Sequence, residues 1–397
     1  FPMKRLGERG EGRFERISWD EALDTVAREL RRVKETYGPR SILYWGSGSN
    51  AVLHGRRMGY RLLNMFGGCT THWGSVSNGA GIFGSMSVYG TMGTGNTRDD
   101  LVNSRLIILW GWNPAETVWD TNTTYHLAKA KEAGARFVAV DPRFTDTAAV
   151  YAERWVPLRP GGDTAALIAM AHVIIQEDLL DRHFLDTHTV GFEKYRDYVL
   201  GVEDGVPKTP AWAEPIAGVP AATLAALARE YATTKPAALI AGWGPGRSAY
   251  GEQFHRAATA LACLTGNIGI HGGNAGGYER SYPSRDMSGI HVGRNPAEAG
   301  FPPRPNALGL PGGMNPNSAR IHISLFWDAI LKGKAGGYPA DFKLLYLLGG
   351  NPLNQHPNTN QGVQALKKLE FIVVHEQFMT ASARFADILL PASTFLE

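Results

Sequence analysis

The chain has 397 residues, 44% apolar and 19% charged, with 47 glycines and 23 prolines. At roughly 150 residues per domain this is two or three domains' worth of chain. The glycine and proline share lies below the roughly 25–30% of low-complexity sequence, which excludes a disordered or fibrous protein. With 40 basic and 37 acidic residues the formal charge is +3, so no global field draws the chain to nucleic acid or an anionic membrane.

No apolar run approaches the roughly 18 residues of a membrane helix; the best, Ile107 to Trp112, has strand length. Cys69 and Cys263 stand far apart with no CxxC, which excludes a zinc ribbon and a disulfide framework within these residues. The chain opens at Phe1 and closes at Glu397 directly after an apolar stretch, so it reads as the middle piece of a longer protein.

In chain order, Ser18-Trp19-Asp20-Glu21 is a capping box, and the spacing Ala22, Val26, Leu30, Val33 predicts a helix to about Tyr37, stopped by Gly38-Pro39. Ile42 to Trp45 follows as a buried strand, Gly46-Ser47-Gly48 as a turn, and about 51–66 as a basic helix ending at Gly67-Gly68. The unit of strand, glycine turn and helix then recurs in matched pairs. Leu106 to Trp110, Gly111-Trp112-Asn113-Pro114, a helix near 121–133 and a strand from Phe137 ending at Asp141 form one copy. Leu344 to Leu348, Gly349-Gly350-Asn351-Pro352, a helix near 358–369 and a strand from Phe371 ending at His375 form the other. A looser pair matches Ile42–Gly48 with Ala238–Gly244, the second leading to a helix that closes on Gly266. Two related α/β units with mostly parallel sheets follow, and their ligands belong at the carboxyl ends of the strands. From about Ser281 to Asn317 seven prolines mark a long surface crossing, expected to connect domains and close over a site.

Between Glu35 and Asp99 there is no acidic residue, while Arg40, Arg56, Arg57, Arg61 and Arg98 stand among many glycines. Cationic side chains and exposed backbone N–H groups suit an anion such as a pyrophosphate; a solvated arginine face is the alternative. Gly46-Ser47-Gly48-Ser49-Asn50-Ala51 matches a dinucleotide fingerprint, but the acidic residue that a nicotinamide site wants about 20 positions on is absent. Gly242-Trp243-Gly244 lacks the third glycine. Asp141, followed by Pro142-Arg143, ends a buried strand where a parallel sheet presents a carboxylate to a nucleoside. Pro160-Gly161-Gly162-Asp163 opens an apolar helix from Ala165, so Asp163 is either a helix cap or a ligand residue. Asn113 and Asn351, before prolines, are turn-formers on their own evidence. No GxSxG elbow, HExxH, phosphate-loop lysine motif or metal-spaced His/Asp/Glu cluster occurs, which removes most support for hydrolase, kinase and zinc readings.

Six ordered blocks carry a resemblance: Pro2-Met3-Lys4-Arg5 through Ser18-Trp19-Asp20-Glu21-Ala22; Trp110 to Thr117; Val140 to Ala148; Leu158 to Leu167; Leu264 to Gly269; and Ala386 to Ala392. Together they resemble the main domain of molybdopterin oxidoreductases of the dimethyl sulfoxide reductase family. The resemblance implies two doubly wound α/β domains, one inserted in the other: 1–75 with 285–397, and 76–284. Each would bind one of two molybdopterin guanine dinucleotides around one molybdenum, or tungsten.

By the same resemblance Ser77, within His72-Trp73-Gly74-Ser75-Val76-Ser77-Asn78-Gly79-Ala80, is the metal ligand and catalytic residue, with Ser75 as the alternative register. Asn113, Glu116, Asp141 and Asp163 are assigned to one dinucleotide and Gly349, Asn351 and His375 to the other; Gly46, Gly48, Trp110, Gly111, Pro142, Arg143, Gly161, Gly242 and Gly244 are further cofactor-binding residues. The turn Gly48-Ser49-Asn50 lacks the tyrosine and tryptophan of the monomeric periplasmic enzymes, so the chain resembles the catalytic subunit of the three-subunit type. The implied activity is reductive oxygen-atom transfer from an S-oxide, N-oxide or oxyanion in anaerobic respiration. Implied partners are an iron–sulfur electron-transfer subunit and an integral membrane anchor. A [4Fe–4S] cluster and a twin-arginine signal are expected upstream, a pterin-capping domain downstream, and a periplasmic or membrane-associated location. A pterin-free structural subunit of a respiratory complex and a nicotinamide-dependent dehydrogenase are the alternatives.

Overall fold

The computed structural model describes residues 1–46, 55–91, 94–118, 122–274, 276, 291–299 and 319–393. Their strands are β1 (Met3–Arg5), β2 (Phe14–Arg16), β3 (Ile42–Gly46), β4 (Thr71–Trp73), β5 (Leu106–Trp110), β6 (Arg136–Val140), β7 (Arg154–Val156), β8 (Ala237–Ala241), β9 (Arg320–His322), β10 (Leu344–Leu348), β11 (Phe371–Glu376) and β12 (Ile388–Pro391). Two units result: an outer one, Phe1–Val76 with Arg285–Glu397, and an inserted one, Ser77–Ser284.

The inserted unit holds a four-stranded sheet, β7-β6-β5-β8, parallel throughout. In β5, every residue is buried, because alternate side chains enter two different cores. Leu106, Ile108 and Trp110 pack with the helix Asp163–Gln176 on one face; Ile107 and Leu109 pack with Leu127, Ala130 and Tyr151 on the other. A central parallel strand therefore reads as an unbroken apolar run rather than an alternating one.

The outer unit repeats the plan. Its six-stranded sheet has the order β2-β1-β12-β11-β10-β3, and the four strands from β12 to β3 are parallel. The hairpin β1–β2 adds antiparallel strands at one edge. Ile42, Tyr44, Leu344 and Tyr346 face one core, and Leu43, Trp45, Leu345 and Leu347 the other. A small parallel pair, β4–β9, lies beside this sheet. The helix Trp19–Tyr37 covers one face with Ala22, Val26, Leu30 and Val33; the Ser18 hydroxyl accepts from the Glu21 N–H at 3.1 Å, as the capping box predicts. Such a cap stabilises by about 1 kcal/mol.

One local expectation changes, and two lie partly outside the described residues. The basic helix spans Gly55–Phe66, with 51–54 outside the described residues. The helix expected from Ala165 begins at Asp163, with Gly162 at the cap position, so Asp163 is not a cap. Of the proline-rich crossing only 291–299 is described; there Arg61 donates to the His291 carbonyl and the Asn295 side chain pairs with both polar backbone atoms of Cys69. Among the described residues no single helix is long and apolar enough to cross a membrane.

Candidate functional site

In the inserted unit, the chain leaving β5 turns at Gly111, whose φ of +59° suits glycine, and the Gly111 N–H donates to the Val140 carbonyl at 2.9 Å. Asn113 then acts as a clamp. Its Oδ1 accepts from the Thr147 N–H at 3.3 Å and from the Thr147 hydroxyl at 2.5 Å, while Thr147 Oγ1 accepts from the Ala115 N–H at 3.0 Å. Its Nδ2 donates to Glu116 at 2.8 Å, and Glu116 is paired with the Arg143 guanidinium.

Asp141, just past β6, accepts from the Arg143 N–H at 2.9 Å and so folds Pro142 into a tight exposed turn. Gly242, after β8, comes so close to the first turn that a Cβ there would lie 2.0 Å from the Gly111 carbonyl oxygen. Gly244 opens the short turn Pro245–Arg247. A cavity of about 140 Å³ lies between these turns, lined by Arg98, Gly111, Trp112, Asn113, Trp243, Gly244 and Arg247 among others.

Asp163 is only 7% exposed and accepts a hydrogen bond from the Trp110 indole at 2.9 Å. Burial pushes its carboxyl above the usual range, and the neighbouring Asp141 pushes it further, against bonds from the Trp110 indole and from the Asp163 and Gly161 N–H groups. Asp141 is raised as well, through burial, with the Arg143 N–H and charge opposing. Among the described residues no lysine or arginine pairs with Asp163. A buried carboxylate without a cation keeps capacity for further N–H donors. Gly161 stands exposed two residues before it.

The outer unit carries the same clamp. Gly349 has φ +58° and its N–H donates to the His375 carbonyl at 2.9 Å. Asn351 Oδ1 accepts from the Ser382 N–H at 3.1 Å and the Ser382 hydroxyl at 2.7 Å, and Ser382 Oγ accepts from the Leu353 N–H at 3.0 Å. Asn113, Ala115 and Thr147 thus correspond one by one to Asn351, Leu353 and Ser382.

The register corrects the sequence match by one residue. Trp110 lies opposite Val140 and Leu348 opposite His375, so His375 corresponds to Val140, and Glu376 to Asp141. The looser pair shifts equally: Gly46 lies opposite Leu348 as Ala241 lies opposite Trp110, so Gly46 corresponds to Ala241 and not to Gly242. His375 instead bonds through Nε2 to the Tyr346 hydroxyl at 2.8 Å, and burial lowers its pKa to about 4. Glu376, which sequence reasoning missed, accepts from the Gln377 N–H at 2.8 Å and the Gly350 N–H at 3.4 Å. The signal was its place as the first acidic residue after the apolar run Phe371-Ile372-Val373-Val374, one position past His375. Gly48 lies outside the described residues.

Ser77 is half-buried in the turn before the helix Gly79–Tyr89, and its carbonyl accepts from Arg247 Nε at 2.7 Å. That links it through Arg247 to the cavity at Gly111 and Asn113. Arg40 and Arg61 hold backbone carbonyls of the 291–299 segment, while Arg98 lies 4.9 Å over the Trp112 ring in the other unit. The Arg56 side chain lies outside the described residues.

Two doubly wound units, each ending its central strands in a positive-φ glycine, an asparagine clamp and an acidic residue, define a duplicated ligand cradle at the carboxyl ends of parallel sheets. The family model for molybdopterin oxidoreductases matches residues 1–397, and the chain belongs to that family. It is 39% identical to dimethyl sulfoxide reductase DmsA of Escherichia coli strain K12, covering 100% of this chain and 51% of that protein. It is 34% identical to dimethyl sulfoxide/trimethylamine N-oxide reductase of Rhodobacter capsulatus, covering 98% and 49%. The chain thus spans about half the length of the curated relatives it matches. Among solved structures, acetylene hydratase from Pelobacter acetylenicus shares the fold, with a TM-score of 0.66, 22% identity and coverage of 100% of this chain and 55% of that one.

The family's molybdenum–pterin cofactor fits the residues present. Asp163 offers a buried acceptor without a cation, and the glycine turns bring backbone close to the cavity. Among the described residues no cluster of three or more His, Cys, Asp or Glu could hold an ion.

Proposed function

We propose that this chain forms the two central dinucleotide-binding units of a molybdenum-dependent oxidoreductase that performs reductive oxygen-atom transfer from an S-oxide, N-oxide or oxyanion in anaerobic respiration. The names of the relatives support the reaction class. The cationless Asp163 beside Asp141 carries the cofactor reading: two acceptor oxygens match the N1–H and N2–H donors of guanine.

In this reading each unit holds one molybdopterin guanine dinucleotide. Asn113, Glu116, Asp141 and Asp163 serve the inserted unit, and Gly349, Asn351 and Glu376 the outer one. The Asn113 and Asn351 clamps keep the glycine turns in place, so that backbone N–H groups meet phosphate without reorganising. Ser77 supplies the protein's oxygen ligand to the metal, molybdenum or tungsten. When bound, the group supplies the two-electron chemistry that removes an oxygen atom from the substrate. The reading extends to a [4Fe–4S] cluster in a preceding segment, an iron–sulfur electron-transfer subunit, a membrane anchor, and a periplasmic or membrane-associated location reached through a twin-arginine signal.

Elemental analysis of the full-length protein tests this. One molybdenum or tungsten with about four phosphorus atoms, two per dinucleotide, together with reduction of dimethyl sulfoxide by a viologen donor, is the expected result. Well-folded protein with neither metal nor phosphorus overturns the reading in favour of a structural subunit.

A further inference from the structure

Arg247 reaches from the turn after β8 to a carbonyl 170 residues earlier in the chain, that of Ser77. The same side chain lines the cavity with Trp243, Gly244 and Asn113. Asn78, at the cap position of Gly79–Tyr89, makes no side-chain cap to that helix. Further along, that helix is locked in place, since a Cβ on Gly84 would lie 2.8 Å from His255 Cβ on the helix Glu252–Thr265. The helix body is therefore fixed by packing, and Arg247 holds the carbonyl just ahead of its first turn.

We propose that Arg247 is a positioning residue for Ser77. This rests on the reading of Ser77 as the metal ligand. Holding the Ser77 carbonyl fixes the peptide plane, and with it the direction in which the side chain leaves the backbone. A charge-assisted bond from guanidinium to carbonyl is among the stronger neutral-acceptor bonds, and its planar geometry sets direction as well as distance. Sites tolerate only about 0.5 Å of drift in a ligand, which is why partners behind a ligand matter almost as much as the ligand. Because Arg247 also faces the cavity, the placement of Ser77 is tied to how that cavity is filled.

The test uses the full-length, cofactor-loaded protein and the variants R247M, R247K and S77A. Metal and phosphorus content, the metal–oxygen shell from X-ray absorption, and electron paramagnetic resonance of the one-electron-reduced metal are measured beside kinetics. R247M is expected to keep its metal and phosphorus, split the paramagnetic signal into more than one species, and lower kcat about tenfold with KM little changed. R247K, with a donor in reach, moves the signal back toward a single species.

A wild-type signal and oxygen shell in R247M overturn the proposal. If R247M loses the metal, R247K decides. Metal retained in R247K, with the signal moved toward a single species, supports positioning; metal lost in both variants makes Arg247 a cofactor contact and overturns it. S77A separates the underlying reading: if its oxygen shell and signal match the wild type, Ser77 is not the ligand, whatever Arg247 does.

Discussion

In the inserted unit the turn after β5 looks onto a buried carboxylate, Asp163, with Asp141 beside it; in the outer unit Glu376 matches Asp141, and just before it stands a half-buried imidazole, His375, bonded to Tyr346. The backbone turn and the asparagine clamp are the same in both, down to the Thr147 or Ser382 hydroxyl that closes them. Duplication has kept the groups that shape the cradle and the acidic residue at its edge, whereas the ionisable groups behind them have diverged. The two units should accordingly share their response to loss of the clamp and differ in their response to pH.

The largest expected effect breaks the shared part. Gly242→Ala drives a methyl group into the Gly111 carbonyl and should destabilise the inserted unit by about 3 kcal/mol or more, read by denaturant unfolding.

Next comes acid. His375, held neutral at a pKa of about 4 against an ordinary 6.5, contributes stability that is full above 6.5 and lost as pH falls toward 4. His356, lowered by burial in the same way, acts in the same direction. At pH 5 the loss for His375 is about 2 kcal/mol. Asp163 and Asp141 have the opposite sign: with raised pKa values, their contribution is present below the usual carboxylate pKa and is lost as pH rises through the raised one. Hydrogen exchange resolved by unit, corrected for intrinsic rates, should show the outer unit loosening first between pH 6.5 and 5. Equal loosening would contradict the assignment.

Asn113→Ala and Asn351→Ala each strand a hydroxyl and a backbone N–H, and should cost about 1–3 kcal/mol apiece. A large difference between them in thermal scans would mean that the clamps are not equivalent. Among the subtler effects, Asp163→Asn should raise the stability of cofactor-free protein near pH 7 by about 1 kcal/mol while lowering its phosphorus content. Glu376→Ala should lower phosphorus content as Asp141→Ala does, whereas His375→Gln should change stability instead. If His375→Gln empties the site and Glu376→Ala does not, the register argument is wrong.

Most of the architecture was legible because buried parallel strands announce themselves: Ile107 to Trp110 and Leu344 to Leu348 have apolar side chains on both faces, and glycine follows each. The one-residue errors have a single cause. Phe137 was matched with Phe371 by side chain, yet the ladder places Phe137 with Ile372, since register is set by backbone hydrogen bonds that composition does not reveal. Asp163 looked equally like a cap or a ligand; only the position of the helix start and the Trp110 indole separate these. The link from Arg247 to Ser77 joins residues 170 apart, and no local pattern foretells such a contact.

The insertion also sets an order of assembly. All four strands of the inner sheet have been synthesised once Ala241 is made, so its ladders can close while the rest of the chain is still on the ribosome. Strand β3 must wait about 300 residues for β10, and its edge stays open until then. The early strand of the outer sheet is therefore where a chaperone holding the nascent chain would be most needed, and where a translational pause before residue 344 would do the most harm.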